Sequence, residues 1–311
     1  MEQEFLQNSN FFIDLIINEL DNFPNLKKHF STNERIINYN LYEQEITTYF
    51  KNIMEKYLIH LNLNNTNCNF SIDSNIKSLG RFTSPNKIII NNIVMENIQR
   101  GNFEYIETIF HELFHFKLYS EIQAGIVNKT IVDLIKDILL RDYCFDYYGS
   151  MKNKEGLPNF VFDTYYNDNY ENTTGEILAE LYGTYCTLIF FNKFNTQIDD
   201  NKLLELKNVI NLNYQKYTLN QQLNFENIDK FNSKHLTIDD ALDSAIHFNP
   251  NWIKDIPQLQ IEYYLNEEGI VCKRTIEELE AYKNTITDEC VKEYINDIIN
   301  KEKNNMNIKT I

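Results

Sequence analysis

Residues 103–120, FEYIETIFHELFHFKLYS, are the stretch from which the rest of the chain can be interpreted. Their apolar side chains recur at helical spacing, and we predict a helix over the whole stretch. His111 and His115 are four residues apart, so they lie on one helical face with Cβ atoms about 5–6 Å apart. Two imidazoles at this spacing can bind one metal ion, and zinc accepts such nitrogen ligands.

Glu112 directly follows the first histidine of this HExxH pattern. A carboxylate at that position can take a proton from a water at the metal and later deliver it to a leaving amine. Apolar residues surround the motif, so two histidines without a partner would be costly to bury. The alternative interpretation is a structural helix with two hydrogen-bonded core histidines and a salt-bridged or capping Glu112.

A metal bound by two histidines needs a third protein ligand from elsewhere in the chain. Of the histidines that follow the motif, neither His235 nor His247 continues its spacing, and carboxylates are the other available ligands. One candidate carboxylate, Glu176, could be present only to cap its own helix, because Thr173-x-x-Glu176 matches a helix capping box. On the residues alone the choice stays open among five side chains: Glu121, Glu176, Glu180, His235 and His247.

The remaining sequence predicts an α+β, mostly helical fold. Helical periodicity covers residues 1–62, and a long irregular loop is expected at 149–172, where Tyr, Asn and Asp dominate. Thr275-x-x-Glu278 makes a capping box at the start of the last helix. Short strands are predicted at 70–72, 78–83 and 87–91, a hairpin through 260–265 and 270–274, and further helices from 92 and at 128–147, 174–194, 200–220 and 237–248.

The composition narrows the class of protein. The chain has 311 residues, 45 acidic and 29 basic side chains and a net charge of −16. Such a surface repels phosphate backbones and anionic lipids, so we expect neither nucleic acid nor membrane as a partner. The five cysteines are far apart and never form CxxC, which fits neither a disulfide framework nor a cysteine zinc site. With no signal peptide or long apolar run, we expect a soluble, cytoplasmic protein, and leaderless export stays open.

The motif and its surroundings resemble the zincin metallopeptidases. Thr108 supplies the small or β-branched residue that the extended zincin pattern has three positions before the first histidine. Lys117 departs from that pattern, which has an apolar residue there, and we expect its side chain to reach solvent at a helix end. In zincins an edge strand before the motif helix pairs with extended substrate, and the resemblance assigns this role to Gly80, Arg81 and Phe82.

The segment GEILAE (175–180) resembles the glutamate zincins, or gluzincins. These enzymes take their third zinc ligand from a glutamate on a later helix, and a carboxylate four residues on steadies the first histidine. The resemblance implies Glu176 as ligand and Glu180 as that second carboxylate, with Glu in place of the more usual Asp. The same segment is similar to one in the anthrax lethal factor and Pro-Pro endopeptidase group. Its oxyanion donor is a tyrosine just before the ligand, which implies Tyr170, with Tyr165, Tyr166, His235 and His247 as alternatives.

The resemblance implies a zinc metallopeptidase, with a small mixed sheet above the motif helix. A zincin-like catalytic core at 66–195 would follow an N-terminal helical segment (1–65) and precede a mainly helical C-terminal lobe (196–311). One Zn²⁺ per chain would be held by His111, His115 and Glu176, with Glu112 as general base and a peptide or protein as substrate. The alternative is a catalytically inactive protein of zincin fold that binds or regulates a partner.

Overall fold

The computed structural model describes residues 10–32, 38–63, 67–143, 173–194, 199–226, 242, 245–247 and 249–308. Over these residues the protein is α+β and mostly helical, as predicted. None of the helices among them is both long enough and apolar enough to cross a membrane. In chain order the elements are α1 (Asn10–Glu19), α2 (Pro24–Thr32), α3 (Tyr39–His60), β1 (Asn69–Ile72), β2 (Gly80–Thr83), β3 (Lys87–Ile90), α4 (Asn92–Gln99), α5 (Ile106–Gln123), α6 (Lys129–Tyr143), α7 (Thr174–Phe194), α8 (Asp200–Glu226), α9 (Asn251–Asp255), β4 (Tyr263–Leu265), β5 (Val271–Lys273), α10 (Ile276–Lys283) and α11 (Glu289–Ile308).

The predicted elements occur close to their expected positions and differ mainly at their ends. The motif helix α5 begins later than predicted, because Phe103–Tyr105 forms a 3-10 turn, and it continues to Gln123. Helix α8 extends to Glu226, beyond its predicted end. The loop predicted at 149–172 lies outside the described residues, as does most of the helix predicted at 237–248.

The chain divides into two compact units. Unit 1 comprises Met1–Ala124 and Gly175–Leu219, and unit 2 comprises Gly125–Thr174 and Asn220–Ile311. Unit 1 is therefore assembled from two stretches of sequence that unit 2 residues separate. This grouping differs from the three consecutive segments predicted from the sequence (1–65, 66–195 and 196–311). Those segments stay a prediction.

A small mixed sheet in unit 1 lies against the motif helix. Its strand order is β1-β3-β2, with β1 parallel and β2 antiparallel to β3. Helix α5 packs on β2 and β3. Among the strands that the structure describes, β2 pairs only with β3, so it is an edge strand there, as predicted for residues 78–83.

Aromatic packing fixes the buried side of α5 within unit 1. Phe114 contacts Phe12 of α1 and Tyr182 of α7, each with ring centroids 5.4 Å apart. Phe110 contacts Phe190 of α7, also at 5.4 Å. Each fully buried aromatic side chain contributes about 1.5–3 kcal/mol through the apolar surface removed from water. The histidine-bearing face of α5 is thereby held away from the core.

Unit 2 has its own apolar core, formed by α6, a 3-10 turn at Pro257–Ile261, and α10 and α11. The predicted hairpin is present as β4 and β5, paired antiparallel. Its first strand begins later than predicted, because Pro257 starts a helical turn that takes up Gln260 and Ile261. The core residues are Val132, Ile261, Leu279, Tyr294, Ile295, Ile298 and Ile299.

The capping box at Thr275 is confirmed. The Glu278 backbone N–H donates to the Thr275 hydroxyl at 3.2 Å, and the Thr275 N–H donates to the Glu278 carboxylate at 2.8 Å. The helix that it starts, α10, ends at Lys283. The last predicted helix is therefore two, since α11 begins separately at Glu289.

Candidate metal centre

Helix α5 presents His111 and His115 on its partly exposed face, one turn apart. Their side chains keep 19% and 16% of their surface exposed, whereas Phe110, Leu113 and Phe114 are fully buried. A ligand can therefore reach the imidazoles while the other face of the helix holds them in place.

Helix α7 approaches α5 closely at Gly183. A Cβ atom added to Gly183 would lie 2.9 Å from both the backbone N and the Cα of His111. Since such atoms do not approach this closely, only glycine allows the two helices to pack at this separation. The sequence offers a weak signal for this contact, a glycine in the interior of a buried apolar helix.

The close packing brings Glu176 to both histidines. Its Oε2 lies 3.3 Å from His111 Nε2, and its Oε1 lies 3.2 Å from His115 Nε2. The two Nε2 atoms are 3.0 Å apart. Among the residues that the structure describes, this is the one group of three or more His, Cys, Asp or Glu side chains whose donor atoms converge, all within 4.8 Å of one another.

The chemistry of this donor set fits zinc. Two imidazole nitrogens and one carboxylate oxygen are the protein ligands of many catalytic zinc sites, in which the fourth position stays open for water or substrate. The three donor atoms all lie within 4.8 Å of one another, so a single ion could contact all of them. The local explanation of Glu176 as a helix-capping residue does not account for its position between the two histidines.

Glu180 contacts the other nitrogen of the first histidine. Its Oε2 lies 3.0 Å from His111 Nδ1, which leaves Nε2 directed towards Glu176. Burial disfavours a charge on His111, but hydrogen bonds to Glu176 and Glu180 and the nearby Glu112 outweigh that effect and raise the pKa of His111 to about 10. A carboxylate in this position fixes the orientation of a ligand imidazole and increases its basicity.

The contacts between α5 and α7 form a regular ladder. Thr184 donates to the Glu107 carboxylate at 2.8 Å, one turn before the pairing of His111 with Glu180. The pairing of His115 with Glu176 follows one turn later. Each step of four residues along α5 is matched by four residues backwards along α7, as expected for two antiparallel helices in register.

Glu112 is buried beside the histidines, with 8% of its surface exposed. Burial raises the pKa of this carboxyl group, and the nearby imidazoles of His111 and His115 and the backbone amide of Phe82 offset only part of the increase. A carboxyl group with a raised pKa can exchange protons nearer to neutral pH than an exposed one, which suits a general acid or base.

Strand β2 lies directly beside these groups. The Leu79 carbonyl accepts from the Asn91 N–H on the β3 side, so by alternation the backbone N–H and C=O groups of Gly80 and Phe82 point away from β3. The Phe82 ring is stacked near His115, with centroids 6.4 Å apart, and contacts Tyr119 at 5.9 Å. Arg81 is exposed.

No family model, curated protein or solved structure matches this chain.

The structure describes only some of the other predicted site residues. Tyr170, the predicted oxyanion donor, and its alternatives Tyr165, Tyr166 and His235 lie outside the described residues. His247 is exposed and belongs to unit 2. Glu121 accepts from Lys117 at 2.9 Å and from the Tyr57 hydroxyl at 2.7 Å, and it does not belong to the convergent group.

The expectation for Lys117 was wrong. Its side chain is buried, with 3% of the residue exposed. Helix α5 does not end near Lys117 but continues to Gln123, so the lysine lies inside the helix and not at its end. Both Glu121 oxygens lie 2.9 Å from its ammonium group, which also stands 5.8 Å from the centre of the Tyr182 ring. The departure from the zincin pattern is therefore a buried ion pair and not a solvated lysine.

Proposed function

We propose that this protein is a zinc metallopeptidase of the gluzincin type, with His111, His115 and Glu176 as metal ligands. The observation that carries the proposal is the convergence of their donor atoms within 4.8 Å. The HExxH helix beside an edge strand and the ligand helix α7 support a zincin-like arrangement of unit 1. A zinc ion held there would act as a Lewis acid on the peptide carbonyl and increase the acidity of a water molecule.

Glu112 is the proposed general base and, later, general acid. It takes a proton from the attacking water and delivers it to the nitrogen of the leaving amine. Its burial and its raised pKa favour this exchange, since the protonated form is not strongly disfavoured. A purely structural metal site would have no need of such a group.

The proposed substrate is a peptide in extended conformation along β2. The outward N–H and C=O of Gly80 and the outward C=O of Phe82 can pair with a peptide in the manner of an added strand, whereas the Phe82 N–H donates to Glu112. Phe82 also contacts His115, so a peptide bound at this edge would pass close to the proposed metal ligands. The donor that stabilises the tetrahedral oxyanion stays the predicted Tyr170, with Tyr165, Tyr166, His235 and His247 as alternatives.

The decisive experiment measures bound metal by mass spectrometry on wild type, His115→Ala and Glu176→Ala. We expect about one zinc per chain in wild type, as a single site requires, and its loss in both variants. Glu104→Gln, which changes an exposed carboxylate just before α5, is the matched control and should keep its zinc. Wild-type protein that neither carries nor takes up zinc would contradict the proposal.

Turnover is tested separately with a peptide library and Glu112→Gln. We expect this variant to retain zinc and to lose at least about 100-fold in cleavage rate, the usual contribution of a positioned acid–base group. Zinc binding without cleavage of any peptide by wild type would favour the alternative, an inactive zincin-fold protein that binds or regulates a partner.

A further inference from the structure

Gly80 is the residue of β2 that faces the proposed general base. It pairs with Ile90 at one end of the edge strand. Its backbone does not need glycine, since the glycines with positive φ among the described residues are Gly101, Gly125 and Gly269. The reason for glycine at this position must therefore be space and not conformation.

The space around Gly80 is filled by Glu112. A Cβ atom added at this position would lie 2.7 Å from Glu112 Cγ, 2.8 Å from its Oε1 and 3.1 Å from Thr108 Cγ2. Contacts below 3.0 Å are essentially never seen, so the Glu112 side chain would have to move. Thr108 stands one turn before Glu112 on α5 and closes the other side of the gap.

The closest contacts of this added atom are with the proposed base and not with the proposed metal ligands. Its three nearest atoms belong to Glu112 and Thr108, and none belongs to His111, His115 or Glu176. A side chain at position 80 would therefore displace the base while the metal-binding group stays assembled. One substitution at position 80 can therefore separate the position of Glu112 from the binding of metal.

We propose that Gly80 is a positioning residue for Glu112: the missing side chain at position 80 lets the carboxylate occupy its place between β2 and α5. This inference rests on the proposed peptidase function for its catalytic consequence. Its geometric part stands without that function, because the collision depends only on the packing of β2 on α5.

The first test compares Gly80→Ala with wild type in zinc content, crystal structure and peptide cleavage. We expect an unchanged zinc content, a displaced Glu112 carboxylate and a kcat lower by about 100-fold or more with little change in KM, since an acid–base group acts mainly in the chemical step. Ser71→Ala on β1, in the same sheet but away from Glu112, is the control. A carboxylate in its original place with β2 shifted instead would overturn the proposal, and so would an unchanged kcat.

The second test separates a positioning role from a general loss of activity. In a Glu112→Gln background, Gly80→Ala should lower the residual rate by less than about twofold, because residues that act through one another are not additive. An undiminished further loss would mean that Gly80 acts by another route.

The third test does not depend on activity. If Gly80→Ala is poorly folded, the double variant Gly80→Ala/Glu112→Ala should recover most of the lost melting temperature, because it removes the atoms that collide. A double variant as unstable as Gly80→Ala would overturn the proposal. Failure of the proposed function appears elsewhere, as wild-type protein without zinc or without cleavage.

Discussion

Replacing Gly183 by alanine tests whether helix packing positions the candidate metal ligands. The added Cβ would stand 2.9 Å from two backbone atoms of His111, whereas ordinary contacts are 3.4–4 Å. Backbone atoms cannot rotate away as a side chain can. Helix α7 must therefore retreat from α5 by at least about 0.5 Å, which is more than the roughly 0.2 Å by which metal–ligand distances vary.

Two effects of measurable size follow from this displacement. Overpacking in a close-packed interior costs about 1–3 kcal/mol, which lowers the melting temperature of a unit of this size by about 2–12 °C. The retreat also moves Glu176 and Glu180 away from the histidines. Misplaced ligands and their orienting partners typically weaken metal binding by about 10- to 100-fold.

The assay is a competitive chelator titration for zinc affinity, paired with thermal unfolding of the metal-free protein. Asn192→Ala, on the exposed side of the same helix, is the control and should change neither quantity. A Gly183→Ala protein with wild-type zinc affinity and melting temperature would refute the reasoning, because α7 would then tolerate a side chain at its closest approach to α5.

Three further outcomes are expected. Lys117→Met leaves Glu121, whose side chain is 12% exposed, without its cation and should cost up to about 3–5 kcal/mol in urea unfolding, whereas Lys117→Met/Glu121→Gln should recover at least half. Glu180→Gln should keep the zinc site but weaken it by about 10- to 100-fold in a chelator titration. Burial disfavours the charged form of Glu262, but Lys136 outweighs this and lowers its pKa. Its stabilisation is therefore present above the unfolded-state pKa of about 4.3 and is lost as the pH falls through the lower folded-state value. Glu262→Gln should accordingly flatten the fall of melting temperature below about pH 4.5, and an unchanged slope would contradict this assignment.

Local patterns predicted the parts of the site that lie within one helix. The four-residue spacing of His111 and His115 is a property of any helix, so their shared face could be expected without a structure. Local patterns did not identify Glu176, because a carboxylate on a separate helix has no fixed spacing from the motif. Its selection came from the resemblance to the gluzincins, and the structure brings it between the two imidazoles.

Contacts between segments that are distant in the chain could not be predicted from the sequence. Gly183 is one glycine within an apolar run, which is a weak signal of close packing but does not identify the backbone of His111 as its neighbour. Lys117 looked like a helix-end lysine because Tyr182, whose ring faces its ammonium group, is far away in the chain. The late start of β4 has a local cause instead, since the helical turn that begins at Pro257 takes up Gln260 and Ile261 of the predicted strand. Burial depends on which segments meet, and periodicity in one segment does not contain that information.

The division of unit 1 into two stretches has a consequence for synthesis on the ribosome. A nascent chain that ends before Gly175 already contains α5, both histidines and Glu112, but neither α7 nor its carboxylates. Phe110 and Phe114 then lack the rings of Phe190 and Tyr182 that cover them in the finished fold. Non-local pairing of this kind slows folding and leaves apolar surface exposed for longer. The proposed metal site can therefore be completed only after the whole of unit 2's first segment has been translated, so a truncated chain carries the HELFH sequence without the proposed third ligand, Glu176.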